Sequence, residues 1–200
     1  MIATLLKAAL VYEIAIQTKE GIERHHYWGI SRQYCNLVGK PLLRVGMNRS
    51  FLEPPNGDMT IDIDPEIQSI PGGVWGDERH MPFTDKQFGV CFNEHTLEHL
   101  HTLEDVQLAV NECVRVADRA VFLGPSAYSL YSNLFCPTHN LRLRFDDTNN
   151  RIEVVKNEYR TGWGHKIGDT DHPPGLGQVM IREGVAPKVS GFSSGFLIGW

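Results

Sequence analysis

The sequence predicts an α/β fold in which helices cover a mostly parallel β-sheet and a β-hairpin follows near the C-terminus. Short apolar runs alternate with helix-like segments through the middle of the chain, a pattern typical of parallel strands joined by crossover helices. Some of these runs are apolar throughout, as in strands that are buried on both faces. The hairpin is indicated by two strand-like runs that flank the turn-rich segment DDTNN at residues 146–150.

Four apolar runs are the predicted strands of the sheet. They are Pro41–Met47, Met59–Asp64, Phe88–Phe92 and Ala120–Leu123. Between the last two strands a helix is predicted, because six apolar residues recur at spacings of three and four: Leu103, Val106, Val110, Cys113, Val114 and Ala117. Thr102 and Asp105 have the spacing of a capping box at its start. The runs 141–145 and 152–155 are the strands of the hairpin, so the pattern places the main sheet before the hairpin.

The two ends of the chain differ from this core. Apolar residues recur at helical spacing between Met1 and Gln17, which predicts a helix packed on the domain or, alternatively, one that docks on a membrane surface or a partner protein. Residues 161–200 include nine glycines and are expected to be mostly loop, with an apolar end, GFSSGFLIGW, that packs on the domain or a neighbour. We therefore expect a single domain with an N-terminal helical segment 1–40, a core 41–160 and a tail 161–200.

Composition and charge exclude several classes of partner. The net charge of −5 argues against a general affinity for nucleic acid. The N-terminal apolar run is too short and too charged for a transmembrane span, and it lacks the features of a secretory signal. The four cysteines include no C-x-x-C pair, which is typical of free thiols in a reducing compartment. We expect a cytoplasmic protein.

Residues 41–125 resemble the class I S-adenosylmethionine-dependent methyltransferases, and in particular the methyltransferase type 11-like domain. The resemblance is strongest over GDERHMPFTDKQFGVCFNEHTLEHL at residues 76–100. Acidic residues there precede a Met-Pro-Phe step, a strand and Leu-Glu-His, and Arg115-Val116, a strand and Gly124-Pro125 follow. The resemblance implies a Rossmann-like sheet, S-adenosylmethionine as cofactor and transfer of a methyl group to a small-molecule acceptor.

The resemblance also implies where the cofactor binds, since ligands of such sheets lie beyond the carboxyl ends of the strands. Asp62 would hold the ribose hydroxyls and Asp77 the adenine amino group. Gly46 and Asn48 would leave room for the methionine arm, with Asn48 replacing a glycine because asparagine tolerates a positive φ. The cofactor-binding residues are thus expected to be Gly46, Asn48, Asp62, Ile63, Asp77, Glu78 and Asn93, with backbone near Glu94 on the methionine side. No catalytic residue and no metal ligand is predicted.

Three features depart from the family pattern. The first glycine-rich motif keeps only Gly46, and Arg44 stands where an acidic residue is usual. Such a cation would cost cofactor affinity unless Arg44 turns into solvent or pairs with an acid. The segment that contains Glu53-Pro54-Pro55 cannot be the interior of a helix, so the first crossover helix is expected to be a turn or a loop. Gly89 stands where the fourth strand usually has an acid.

These departures leave alternatives to an active enzyme. One is a catalytically inactive methyltransferase-like subunit that serves as an interaction component, with the N-terminal helix and the C-terminal tail as its docking surfaces. A minor one is a zinc hydrolase, because His95-Thr96-Leu97-Glu98-His99 matches H-x-x-E-H. The cluster His25-His26-Tyr27-Trp28 packs on the core or forms part of a lid. Tyr128, Tyr131 and His139 follow the last predicted strand of the sheet, where substrate-side residues lie in the family.

Overall fold

The computed structural model describes residues 2–126, 128–132, 136–156 and 178–191. Six strands form the main sheet: β1 Leu42–Val45, β2 Met59–Asp62, β3 Gly73–Trp75, β4 Phe88–Glu94, β5 Ala117–Gly124 and β8 Gln178–Glu183. Their order across the sheet is β3-β2-β1-β4-β5-β8. The first five strands are parallel and β8 is antiparallel to β5. The prediction of a mostly parallel, Rossmann-like sheet is confirmed.

A smaller sheet contains β6 Leu141–Asp146, β7 Arg151–Lys156 and β9 Lys188–Gly191. β6 and β7 form the predicted antiparallel hairpin, and β9 lies parallel to β7. The expectation that residues 161–200 are mostly loop is wrong for β8 and β9. Of the glycines in this segment only Gly191 falls within these two strands. The high glycine content of the whole segment therefore gave no indication of the two strands within it. Residues 157–177 and 192–200, which include most of GFSSGFLIGW, lie outside the described residues.

The helix α2, Leu103–Val116, covers one face of the main sheet. It begins as predicted, because the Thr102 hydroxyl accepts the Asp105 N–H at 3.0 Å and so satisfies one free N–H of the first turn. Val106, Val110 and Cys113 on its apolar face are fully buried in a core shared with both sheets. Of the other predicted positions, Leu103 is 43% exposed and Ala117 is the first residue of β5. The periodicity of the sequence therefore identified both the helix and the face that packs.

The long helix α1, Ile2–Val38, covers the opposite face with its C-terminal half. Trp28 packs edge-on against Phe92 with ring centroids 5.2 Å apart. A Cβ atom at Gly89 would lie 3.0 Å from the Cys35 sulfur, closer than most such contacts, so a side chain here would require α1 to shift away from β4. The interpretation of the aromatic cluster as packing is confirmed for Trp28, whereas His25 and His26 are exposed.

The N-terminal part of α1 does not pack on the domain through its apolar residues. Leu5, Leu6 and Leu10 are 61–66% exposed, and the buried positions begin at Ile16. The expectation that an apolar face of residues 1–17 is buried is wrong, because a 37-residue helix of about 55 Å is longer than the strands it covers. Among the described residues, no helix combines the length and the apolar character that crossing a membrane requires.

Candidate functional site

A cleft of about 520 Å³ lies at the carboxyl ends of β1, β2, β3 and β4. This edge of a parallel sheet is where such folds bind their ligands, and α1 contributes Arg24 to the wall. Five of the residues predicted from the sequence line the cleft: Gly46, Asp62, Ile63, Asp77 and Glu78. Asn48 and Asn93 are not among the lining residues.

The turn after β1 depends on Gly46. Its φ is +85°, a conformation that strains residues with a side chain, and its N–H donates to the Ile61 carbonyl at 2.9 Å. A Cβ atom there would lie 2.9 Å from Cγ2 of Thr96. The bare backbone at this point leaves the cleft open between β1 and β4.

Asn48 has a different structural role from the one expected. It is not among the residues with positive φ, so the expectation that it replaces a glycine in that conformation is wrong. Its side-chain amide donates to the carbonyls of Glu53, at 3.1 Å, and of Pro54, at 2.7 Å. Asn48 therefore organises the loop between β1 and β2, which in this chain replaces the helix that would have needed the second glycine.

Asp62 at the end of β2 holds two turns together. One carboxylate oxygen accepts the Met47 N–H at 2.7 Å, and the other accepts the Asp64 N–H at 2.8 Å. Each oxygen of a carboxylate can accept a second hydrogen bond. Asp62 is therefore positioned to hold the turn at Gly46 and to accept from a ligand in the cleft at the same time.

Arg44 is almost fully buried, at 2% exposure. Its guanidinium donates to the carbonyls of Pro54 and Pro55 and to the Glu53 carboxylate, the last at 3.1 Å. Its Nη2 also lies 3.4 Å from a carboxylate oxygen of Glu94. Of the two alternatives left open for Arg44, a turn into solvent or pairing with an acid, the structure shows the second. The expectation of a loop in place of the first crossover helix is confirmed, since residues 46–58 contain no helix.

Glu94 and Arg24 form an incompletely paired charge cluster in the wall of the cleft. Glu94 Oε1 lies 3.5 Å from Arg24 Nε, and within the described residues neither Glu94 oxygen nor Arg24 Nε has a hydrogen-bond partner. Burial raises the pKa of Glu94 to about 7, against the opposing effect of Arg44 and Arg24. From the sequence, only backbone near Glu94 was expected to line the cleft. The signal in the sequence for a nearby acid was Arg44, a cation within an apolar strand.

The acids after β3 are both engaged within the protein. Asp77 forms a two-pronged ion pair with Arg79, with the shorter contact at 2.6 Å, and this guanidinium lowers the Asp77 pKa. Glu78 accepts from the Asn93 amide at 2.7 Å and from the Thr96 hydroxyl at 2.9 Å. Burial raises the pKa of Glu78 to about 7. The Asn93 side chain thus positions Glu78 instead of lining the cleft.

The H-x-x-E-H segment is not an α-helix. His95 has a φ of +52°, and Leu97–His99 is a short 3₁₀ helix. A zinc hydrolase of this type needs two imidazoles on one face of an α-helix, so this alternative is wrong for the chain. Instead Glu98 and His99 lie beside His139. Neither Tyr128 nor Tyr131 is among the residues lining the cleft.

Comparison with known proteins agrees with this geometry. Residues 60–122 match a family model described as a methyltransferase domain, which represents a class I S-adenosylmethionine-dependent methyltransferase family. The match runs from β2 into β5 and includes Asp62, Asp77 and Glu94, whereas α1 and the turn at Gly46 lie outside it. No curated protein matches the chain. The resemblance stated from the sequence is therefore confirmed for the middle of the chain.

Proposed function

We propose that this protein binds S-adenosylmethionine in the cleft and transfers its methyl group to a small-molecule acceptor. The observation that carries the proposal is the pair formed by Glu94 and Arg24, a buried acceptor and a buried donor that lie 3.5 Å apart and lack hydrogen-bond partners within the described residues. The amino-acid end of the cofactor carries one ammonium and one carboxylate group. A wall that offers a carboxylate and a guanidinium N–H with unused hydrogen-bonding capacity complements both groups.

The other polar groups of the cleft support the same orientation. Asp62 retains acceptor capacity at the end of β2, where a ribose would lie, and the absent side chain at Gly46 leaves space between ribose and methionine. Asp77 and Glu78 follow β3 on the adenine side. Arg44 does not oppose the cofactor, because Glu53 and Glu94 neutralise its charge.

The chemistry requires mainly alignment. When bound, S-adenosylmethionine supplies a methyl group that its sulfonium activates. The protein contributes by holding donor and acceptor in one orientation, which removes much of the entropic cost of bringing them together. An acceptor that is already nucleophilic needs no base, and we assign none.

Calorimetric titration with S-adenosylmethionine and S-adenosylhomocysteine tests the proposal. We expect saturable binding to the wild type. The affinity should be about 10- to 100-fold lower in Glu94→Gln and Asp62→Asn, because each change removes a charged carboxylate that would accept a hydrogen bond from the ligand. Glu104→Gln, an exposed change on α2, should bind as the wild type does. Absence of binding at about 1 mM ligand by the folded protein would contradict the proposal.

A second candidate is a partner-binding subunit without methyltransferase activity. The observation that favours it is the exposed apolar part of α1, including Leu5, Leu6 and Leu10. Apolar residues grouped in this way on a surface often mark an interaction site. A folded protein that fails to bind either ligand would leave this candidate as the better one.

A further inference from the structure

Glu98, His99 and His139 form a compact cluster of ligand-type side chains next to the cleft. One potential ligand atom from each lies within 4.8 Å of the others, and Glu98 Oε1 is 3.8 Å from His139 Nε2. The cluster joins the turn after β4 to the segment before β6. Asn140 fastens these two segments, because its N–H donates to the Glu98 carbonyl at 2.9 Å and its side chain donates to the His99 carbonyl at 2.7 Å.

Hydrogen bonds fix how both imidazoles are protonated. Nδ1 of His99 lies 3.0 Å from the Thr138 carbonyl, and Nδ1 of His139 lies 3.0 Å from the Ser132 carbonyl. A carbonyl oxygen can only accept, so each Nδ1 carries a proton and each neutral ring has its lone pair on Nε2. Metal-binding histidines are commonly held in this way, with one ring nitrogen donating to a backbone carbonyl and the other facing the ion.

Glu98 supplies an independent observation. It is 1% exposed, and neither of its carboxylate oxygens has a hydrogen-bond partner among the described residues. The nearby His95 Nδ1, at 3.5 Å, faces the Arg24 guanidinium at 3.3 Å and accepts from it, so it does not donate to Glu98. A buried carboxyl group left without partners is costly, and a bound cation would compensate it.

From this geometry we infer that Glu98, His99 and His139 bind one divalent ion of the zinc class through a carboxylate oxygen and two Nε2 atoms. Two imidazoles and one carboxylate suit zinc and its first-row neighbours better than calcium or magnesium, which prefer oxygen ligands throughout. Because His99 also lines the cleft, the ion lies at the cleft edge. Three protein ligands leave a further position for water or for an acceptor atom. The ion site does not depend on cofactor binding.

Metal titration of the tag-free full chain, stripped with a chelator and then desalted, tests the inference. Calorimetry with zinc should give one saturable site per chain, and cobalt should give the visible absorption bands of a low-coordinate nitrogen and oxygen site. Glu98→Gln and His139→Gln should lower zinc affinity by at least about 100-fold, more than the loss of an outer-shell partner costs. His25→Gln, an exposed change on α1, should leave it unchanged.

His99→Gln guards against a misfolded variant, because His99 is exposed and the change should preserve the far-ultraviolet circular dichroism of the wild type. Loss of the zinc site in this folded variant would support the inference. Failure of the wild type to bind zinc saturably would overturn it, as would unchanged affinity in both His99→Gln and Glu98→Gln. Cofactor binding measured on the metal-free protein keeps this outcome separate from the proposed function.

Discussion

Arg44 stands two residues before Gly46, and its side chain accounts for the local structure that follows β1. The guanidinium lies among the carbonyls of Pro54 and Pro55 and the carboxylates of Glu53 and Glu94. A buried cation requires such partners, and the loop 46–58 provides most of them. Arg44 and the loop 46–58 therefore depend on each other, because the loop and Glu94 balance the charge of the buried guanidinium.

Glu78 should make stability depend on pH. Its pKa is raised from 4.5 to about 7 by burial, so between these values the folded state holds a proton that the unfolded state has lost. This group therefore lowers the free energy of unfolding as pH rises through that window. Glu78→Gln removes the titration and can still accept from Asn93 and Thr96. We therefore compare the stability difference, which is the free energy of unfolding of Glu78→Gln minus that of the wild type. This difference should increase by about 1 kcal/mol or more between pH 5 and pH 8.

Urea unfolding at several pH values measures this difference. Glu104→Gln, whose side chain is exposed on α2, is the matched control and should show a difference that does not vary with pH. A constant difference for Glu78→Gln as well would mean that Glu78 ionises in the folded protein as it does in water. The comparison between variants isolates Glu78 from the other buried acids, whose titrations are common to both proteins.

At the scale of elements, α1 consists of an exposed part and a packed part. Leu10 is 61% exposed, whereas Trp28 is 8% exposed and packs against Phe92. We expect Leu10→Gln to change the free energy of unfolding by less than about 0.5 kcal/mol. Trp28→Ala should cost about 3–5 kcal/mol, because it empties a large volume between α1 and the sheet. Denaturant unfolding measures both.

An equal and large cost for Leu10→Gln would contradict this division of α1 and would show that its N-terminal part is covered in solution. Sedimentation at several protein concentrations would then distinguish burial within one chain from association. A cost that falls on dilution would indicate self-association through the exposed leucines.

The elements that the sequence predicts well are those with a local pattern. The spacing of Val106, Val110 and Cys113 determines which face of α2 is buried, and a continuous apolar run identifies β4. β8 has no comparable signal, because its position depends on pairing with β5, some sixty residues earlier in the chain. The apolar residues at the start of α1 indicated a helix, but a helical pattern does not reveal how far the helix extends beyond the surface that it covers.

At the scale of the whole molecule, the site could be predicted in part because parallel strands place their carboxyl ends together. Asp62, at the end of β2, reaches the cleft for that reason alone. Arg24 could not be placed, since nothing in the sequence shows where α1 crosses the sheet. His139 lies forty residues beyond His99, and only the fold brings their rings to 5.0 Å.

β8 pairs with β5 and contributes a side chain to the core that lies between the two sheets. We expect this side chain, Met180, to contribute most of the stability that β8 adds. Met180 pairs with Phe122 of β5 and is 1% exposed in the core that also contains residues of the smaller sheet, whereas its neighbour Ile181 is 38% exposed on the opposite face. Met180→Ala should therefore lower the free energy of unfolding by about 2–5 kcal/mol, and Ile181→Ala by less than about 1 kcal/mol. Urea unfolding compares the two directly. Similar small costs for both variants would mean that β8 does not close the edge of the main sheet, and that the core is complete without the C-terminal part of the chain.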